Sequence, residues 1–221
     1  GAANLMELKE LNLVADQNGA DVYIAYNRRF FASAIKAREI IAEDLGAQLI
    51  TFNFTELSDK IESLNYPRRL TENIFFNNSV HVVDLALSFG ELPEDVFVSS
   101  AGELPWHSKG ATFAGHAKTT SGLLYSFCAD WRGGGRWAVE VSTKNRRLIL
   151  CPLEKLQVQD RGSFQLRDEL ISDGVDSDYK PGLYRMVESF VCINPKQSQL
   201  PSLASHIKNT EMFYEKICPT T

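Results

Sequence analysis

Between residues 111 and 159 the sequence passes through consecutive strand signals with little else between them. Ala111–Thr119, Gly122–Trp131, Arg136–Thr143, Arg147–Leu150 and Lys155–Gln159 are separated by turn chemistry at Thr120-Ser121-Gly122, Gly133-Gly134-Gly135 and Lys144-Asn145. Alternating apolar residues broken by short polar turns predict antiparallel neighbours with one buried face. Helical signals cluster before and after this run. Segregation of that kind predicts an α+β fold: an open, largely antiparallel β-sheet with helices packed on one face.

One motif inside the run needs separate treatment. Gly133-Gly134-Gly135-Arg136-Trp137-Ala138 formally matches G-x-G-x-x-A, the dinucleotide fingerprint. That fingerprint works where a strand hands over to a helix whose N-terminus faces the pyrophosphate. Here Trp137, Val139 and Val141 alternate with Ala138, Glu140 and Ser142, which is a strand pattern. The glycines therefore read as a hairpin turn.

The rest of the chain supplies the helices. Asn4 and Glu7 have capping-box spacing, followed by a stripe at Leu5, Leu8, Leu11 and Val14/Ala15 and a stop at Gly19. Asp21–Tyr26 reads as a short buried strand. A helix is expected from Phe31 to Leu45, closed by Gly46, and a half-buried strand over Gln48–Thr55. Residues 56–70 read as a loop, Val96–Val98 as a further strand and 160–182 as a long mobile loop. Asp173, Asp176 and Asp178 in that loop lack the spacing of a calcium loop. Two helices close the chain. Tyr184–Val191 is expected to pack through Leu183, Met186, Val187 and Phe190, and Leu200 to about Ile217 through Leu203, Ile207, Met212 or Phe213, and Ile217.

Composition bounds the function. With 44% hydrophobic residues among 221, the chain can bury a full core. A net charge of −5 without a basic stripe argues against nucleic acid, and no apolar run reaches the length of a membrane span. Cys128, Cys151, Cys192 and Cys218 form no CxxC pair, and the first three lie in apolar surroundings. Buried free thiols in a reducing cytoplasm fit better than disulfides or a zinc site, so no metal is expected.

The most polar insertion in apolar sequence lies in the run Ile74–Phe89, which reads as a helix ending at Gly90. At helical spacing Asn77, His81 and Asp84 share one face. They can form a self-satisfied seam, with Asp84 accepting from His81, or a proton-transfer site centred on His81. Elsewhere Asn27, Arg28 and Arg29 lie at a strand-to-helix junction, where guanidinium forks bind anions or sugar hydroxyls or pair with surface carboxylates. Trp131 can form a sugar-facing wall or belong to the core.

Tyr26-Asn27-Arg28-Arg29-Phe30 after a strand, the His81-Val82-Val83-Asp84 helix and the closing Leu200-Pro201-Ser202 helix occur in an order that resembles one family. It is the glucose–fructose oxidoreductase, inositol dehydrogenase and rhizopine-catabolism (Gfo/Idh/MocA) family, and the resemblance covers essentially the whole chain. It implies a C-terminal domain of open antiparallel sheet following an N-terminal Rossmann domain that binds NAD or NADP and carries a Glu-Lys-Pro lysine. It also implies His81 as the proton acceptor and donor for a sugar hydroxyl. Beside it, Asn77, Asn27, Arg28, Asp84 and Trp131 are read from the sequence as candidate substrate contacts, with Asp84 alternatively orienting the His81 ring or capping a buried donor. A sheet face that forms a homo-oligomer is implied as well. Many members place an aspartate four residues before the histidine; here that position is Asn77, whose amide hydrogen-bonds a hydroxyl but cannot take its proton.

Neither the glycine loop nor Glu-Lys-Pro occurs, and the first residue is Gly. The expectation is a fragment. Residues 1–26 would be the remnant of a dinucleotide-binding domain and 27–221 a substrate-binding and oligomerisation domain. The complete protein would be an NAD(P)-dependent oxidoreductase of a sugar or cyclitol alcohol, and this chain alone would be inactive, with no cofactor. A redox-silent ligand-binding, regulatory or oligomerisation module on the same fold is the alternative.

Overall fold

The computed structural model describes residues 4–191 and 199–219. Its eight strands are β1 (Ala47–Asn53), β2 (Asp95–Ala101), β3 (Thr112–Lys118), β4 (Leu124–Asp130), β5 (Ala138–Thr143), β6 (Arg146–Leu150), β7 (Gln157–Asp160) and β8 (Leu166–Asp168). They form one sheet in the order β2-β3-β4-β1-β5-β6-β7-β8. Every pairing is antiparallel except β1 with β4, which run parallel. The expected α+β class holds.

The insertion of β1 corrects one sequence reading. Because β1 lies between β4 and β5, Gly133–Gly135 is not a hairpin turn; it carries the chain past the end of β1. The local turn signal was correct, but which strands pair is decided by long-range burial. Ile50 and Phe52 bury against Tyr125 and Phe127 on one side and Val141 and Val139 on the other. Gly135 passes so close that a Cβ would lie 2.9 Å from Thr55 Cγ2.

Helices cover one face. The main ones are α1 (Leu5–Gln17), α2 (Ala32–Glu43), α5 (Val80–Leu87), α7 (Leu183–Val191) and α8 (Leu203–Asn209). Val82, Val83, Leu85 and Ala86 of α5, Ala34 and Ala37 of α2, and Phe213 form one core with the buried side of the sheet. The opposite face stays open, with Phe97 61% and Leu124 47% exposed.

Several expectations need correction. Asp21–Tyr26 is extended but makes only the bridge Tyr23↔Ser202, because a single short segment lies alongside it. Residues 56–70 are not a loop: they hold α3 (Ser58–Ser63) and the start of α4 (Arg68–Glu72), which Pro67 introduces. The stretch 160–182 contains β8 and a short helix, α6 (Gly174–Asp178). Asp176 there accepts from Ala32 N at 2.8 Å, Gly182 N at 3.0 Å and Arg185 Nη1 at 2.5 Å, so it is a structural anchor.

Of the first helix's expected stripe, Leu8 and Ala15 are buried while Leu11 and Val14 are exposed, although Asn4 does cap Glu7 N at 3.0 Å. On α7 only Met186 of the four expected residues is buried. Cys128 and Cys151 are exposed rather than buried, Cys218 is buried, and Cys192 lies outside the described residues.

One ion pair ties α2 to the sheet. Asp44, just past α2, accepts from Arg146 Nε and Nη2 at 2.8 Å each, Thr143 Oγ1 at 2.6 Å and Asn145 Nδ2 at 3.0 Å. The Asp44 side chain is 3% exposed, so removing it strands a half-satisfied cluster. Asp44→Ala is expected to lower stability by about 3 kcal/mol in urea unfolding, far above the effect of an exposed pair.

Candidate functional site

The central helix does not start as an α-helix. Phe75–Ser79 form a π turn that inserts one residue before α5. This destroys the shared face that α-helical spacing predicted for Asn77, His81 and Asp84. Asn77 is exposed and donates from Nδ2 to Leu70 O at 3.1 Å. His81 is half-buried, and Asp84 is fully buried.

No hydrogen bond joins Asp84 to His81 among the described residues. Its carboxylate accepts from Arg29 Nε and Nη2, both at 2.7 Å, and from Tyr214 Oη at 3.4 Å. This bidentate pair is the strong geometry for Arg and carboxylate. Burial alone would lower the Arg29 guanidinium, but the charge and hydrogen bonds of Asp84 outweigh it and hold the pKa above its usual value. Arg29 also donates to Gln199 O at 3.0 Å. One side chain thus joins the Asn27–Phe30 3₁₀ turn, α5 and the approach to α8.

Asn27 and Arg28, on the same turn, face a cleft. Asn27 donates from Nδ2 to Pro181 O at 3.0 Å and accepts from Arg28 Nη1 at 2.8 Å. Gly182, at φ +70°, allows this approach, since a Cβ there would collide with the Asn27 carbonyl. Arg28 lies 5.3 Å from the centroid of the Trp137 ring, a cation–π arrangement. Burial lowers its pKa, and the charges of Glu154 and Glu56 offset part of that.

The cleft encloses about 780 Å³. Phe31, Ile61, Leu70 and Leu153 supply apolar wall, while Asn27, Arg28, Glu56, Asn77 and Asn78 supply polar groups. A largely apolar hollow with a few converging polar groups is the usual form of a small-molecule site. Much of the apolar wall comes from α3 and α4, the segment that sequence alone reads as a loop.

His81 does not itself line this cleft, but Arg28 and Lys180, which do, act on its charge. Its ring packs edge-on against Tyr26 at 5.2 Å, and its buried Nδ1 has no hydrogen-bond partner among the described residues. Burial pulls its pKa down to about 3, helped by the charges of Arg28 and Lys180. At neutral pH it is an uncharged imidazole that accepts a hydrogen bond, and protonating it means placing a charge in a desolvated position near the Arg28 and Lys180 cations.

Trp131 is not a ligand wall. It is fully buried, donates from Nε1 to Phe54 O at 3.1 Å and stacks on Trp106 at 5.7 Å. The tryptophan in the cleft is Trp137. Glu56, Asn78 and Ser79 are the other residues that sequence reasoning passed over. The signals were a carboxylate just beyond a half-buried strand and two further polar residues in the apolar run.

With this geometry, the chain has the fold of Gfo/Idh/MocA-type oxidoreductases, the fold that its motifs resemble. Three solved structures illustrate the likeness. UDP-N-acetylglucosamine 3-dehydrogenase from Acidithiobacillus ferrooxidans aligns over 98% of this chain and 67% of its own, with a TM-score of 0.73 and 12% identity. An inositol dehydrogenase homolog from Azotobacter vinelandii, complexed with NADH and myo-inositol, aligns over 98% and 66%, with a TM-score of 0.71 and 12% identity. Levoglucosan dehydrogenase in complex with NADH and L-sorbose aligns over 98% and 69%, with a TM-score of 0.76 and 14% identity. The chain spans about two thirds of the length of these structures. No protein-family profile and no curated protein matches the sequence. Among the described residues no helix is long and apolar enough to cross a membrane.

The Arg29–Asp84 pair yields a prediction. Asp84→Asn keeps the shape but leaves a guanidinium without its counter-charge. It is expected to cost about 3–5 kcal/mol, read as a lowered urea midpoint at unchanged slope. A loss within about 0.5 kcal/mol would show that the pair does not bind the turn to α5.

Proposed function

We propose that this chain is the substrate-side part of an NAD(P)-dependent oxidoreductase that acts on a secondary alcohol of a sugar or cyclitol-type compound. The observation that carries this reading is the cleft lined by Asn27, Arg28 and Asn77, on a fold shared with sugar and cyclitol dehydrogenases. Asn27, Arg28 and Asn77 contact the substrate from the cleft walls, and Trp137 takes the role that sequence had suggested for Trp131. His81, neutral at working pH, accepts the proton of the reacting hydroxyl.

The one glycine fingerprint runs into β5 rather than a helix, which supports placing the dinucleotide outside this chain. In this reading it is held by a further domain and supplies the hydride acceptor, while this chain holds the sugar and the proton. Residues 1–26 then belong to that domain and 27–221 to the substrate domain. Exposed Met6, Leu11, Leu13 and Val14 on α1, and the one-sided backbone of 21–26, support this division as surface a neighbouring domain would cover. The chain alone is inactive. Exposed free thiols at Cys128 and Cys151 fit a reducing cytoplasm.

Calorimetric titration of this chain with NADH and NADPH is expected to show no binding, and tight binding of either would refute the proposed division. In the full-length protein, His81→Ala is expected to lower turnover by about 10²-fold or more, and an unchanged rate would reassign His81 to packing.

The open sheet face, with Phe97 and Leu124 exposed, joins copies of the chain. Phe97→Glu is expected to shift the sedimentation profile toward monomer; a monomeric wild type would exclude the contact.

A further inference from the structure

Glu56 is the one buried carboxyl in the cleft, and none of the motifs read from the sequence assigns it a task. It lies just beyond β1 and is 6% exposed. Ser79 Oγ donates to Oε1 at 2.6 Å, and Asn78 Nδ2 lies 3.2 Å from Oε1 and 3.1 Å from Oε2. The Trp137 side chain gives a further hydrogen bond. Asn78 and Ser79 are adjacent members of the π turn, so the inserted residue that breaks the α-helical face also turns two donors onto one carboxyl.

The charges around Glu56 do not neutralise it by contact. No Lys or Arg forms an ion pair with it among the described residues. Arg28, whose charge acts on it, is stacked on Trp137 instead. Lys60 on α3, Arg136 before β5 and Lys180 before α7 stand around the cleft with Glu154 as the other carboxylate. A buried acid held by neutral donors, with cations near but not touching, is balanced between its two protonation states. Burial pushes its pKa up to about 7 against the pull of Ser79, Asn78, Trp137 and Arg28. Burial moves His81 the other way and holds it uncharged across the neutral range, so it takes a proton only transiently, during turnover.

We propose that Glu56 is a ligand-facing acid of this cleft, whose carboxylate accepts a hydrogen bond from a carbohydrate hydroxyl and exchanges a proton with it or with water. The exchange is balanced within the site. The O–H bond lost by the hydroxyl or water forms again at a Glu56 carboxyl oxygen, and return of that proton through the open cleft restores the carboxylate. This rests on the proposed reading of the cleft as a carbohydrate site. It adds a second proton-handling group to His81 and places the neutral-pH dependence of the site on Glu56.

The sign follows from the charge states. Only the ionised carboxylate accepts from a hydroxyl without giving up an acceptor position to its own proton. Affinity for a polyol therefore rises as pH increases through about 7 and falls below it.

Two measurements on this chain test the assignment. In the first, the glutamate side-chain carboxyls are labelled with ¹³C and titrated by NMR in wild type, Glu56→Gln and Ser79→Ala. One carboxyl is expected to titrate near neutral pH, to vanish in Glu56→Gln and to move upward in Ser79→Ala, which removes a donor to the charged form. In the second, myo-inositol and levoglucosan are titrated calorimetrically at about pH 5.5 and about pH 8, with thermal melts confirming that each variant is folded. Wild type is expected to bind at least ~10-fold more tightly at the higher pH, and Glu56→Gln to bind weakly with no pH dependence.

A Glu56 resonance with an ordinary carboxylate midpoint, or a folded Glu56→Gln that keeps wild-type affinity and pH dependence, would overturn the proposal while leaving the carbohydrate reading intact. Absence of polyol binding to wild type at both pH values would instead remove the carbohydrate reading and the proposal with it.

Discussion

The two hydrogen bonds between Arg29 and Asp84 hold the site's parts in one place. Arg29 follows directly on Asn27 and Arg28, which face the cleft, and Asp84 lies one turn beyond His81 on α5. Tyr214 and the Gln199 carbonyl bring the C-terminal segment to the same point. A fully buried carboxylate is tolerable only with a paired, geometrically matched counter-charge, and that need fixes the turn against the helix. The cost is specificity of another kind: Asp84, the residue closest to His81 in a naive helical reading, is unavailable to orient the imidazole.

What the cleft can do follows from how burial acts on its titratable groups. Desolvation disfavours charge, so it lowers histidine and raises glutamate. His81, two residues past the π turn, and Glu56, held by the turn's last two residues, show the two outcomes. The π turn is what makes this pairing possible, because it frees Asn78 and Ser79 from the regular helical face and points them at β1's end. A second π turn, Thr210–Tyr214, does comparable work at the C-terminus, bringing Phe213 into the core and Tyr214 to Asp84. Irregular helical turns of this sort are common where function requires a side chain out of phase.

The sheet was legible in the sequence because period-2 alternation survives any topology: strands β3 to β7 lie within a residue or two of where alternation and turn residues placed them. Their pairing was less legible. Gly133–Gly135 looks like a hairpin from local chemistry, and only the need to bury Ile50 and Phe52 on both sides inserts β1 there. Which tryptophan enters the core was illegible for a related reason, since Trp131 and Trp137 flank the same glycines and only the packed structure sends one to the core and the other to the cleft. The phase of the central helix could not be read at all, because a π turn leaves no periodic signature in a short apolar run. That is why sequence alone singled out Asn77 and His81 in this run but not the Asn78 and Ser79 donors that meet Glu56.

The central claim is that the hollow between the Asn27–Phe30 turn and the π turn receives a polyhydroxylated ligand. Backbone and indole chemical-shift mapping of this chain during titration with myo-inositol tests it most directly. The account predicts perturbations concentrated at Arg28, Glu56, Asn78 and the Trp137 indole, with the Trp131 indole unmoved. Perturbations centred on Phe97 and Leu124 of the open sheet face, or none anywhere at saturating ligand, would contradict it.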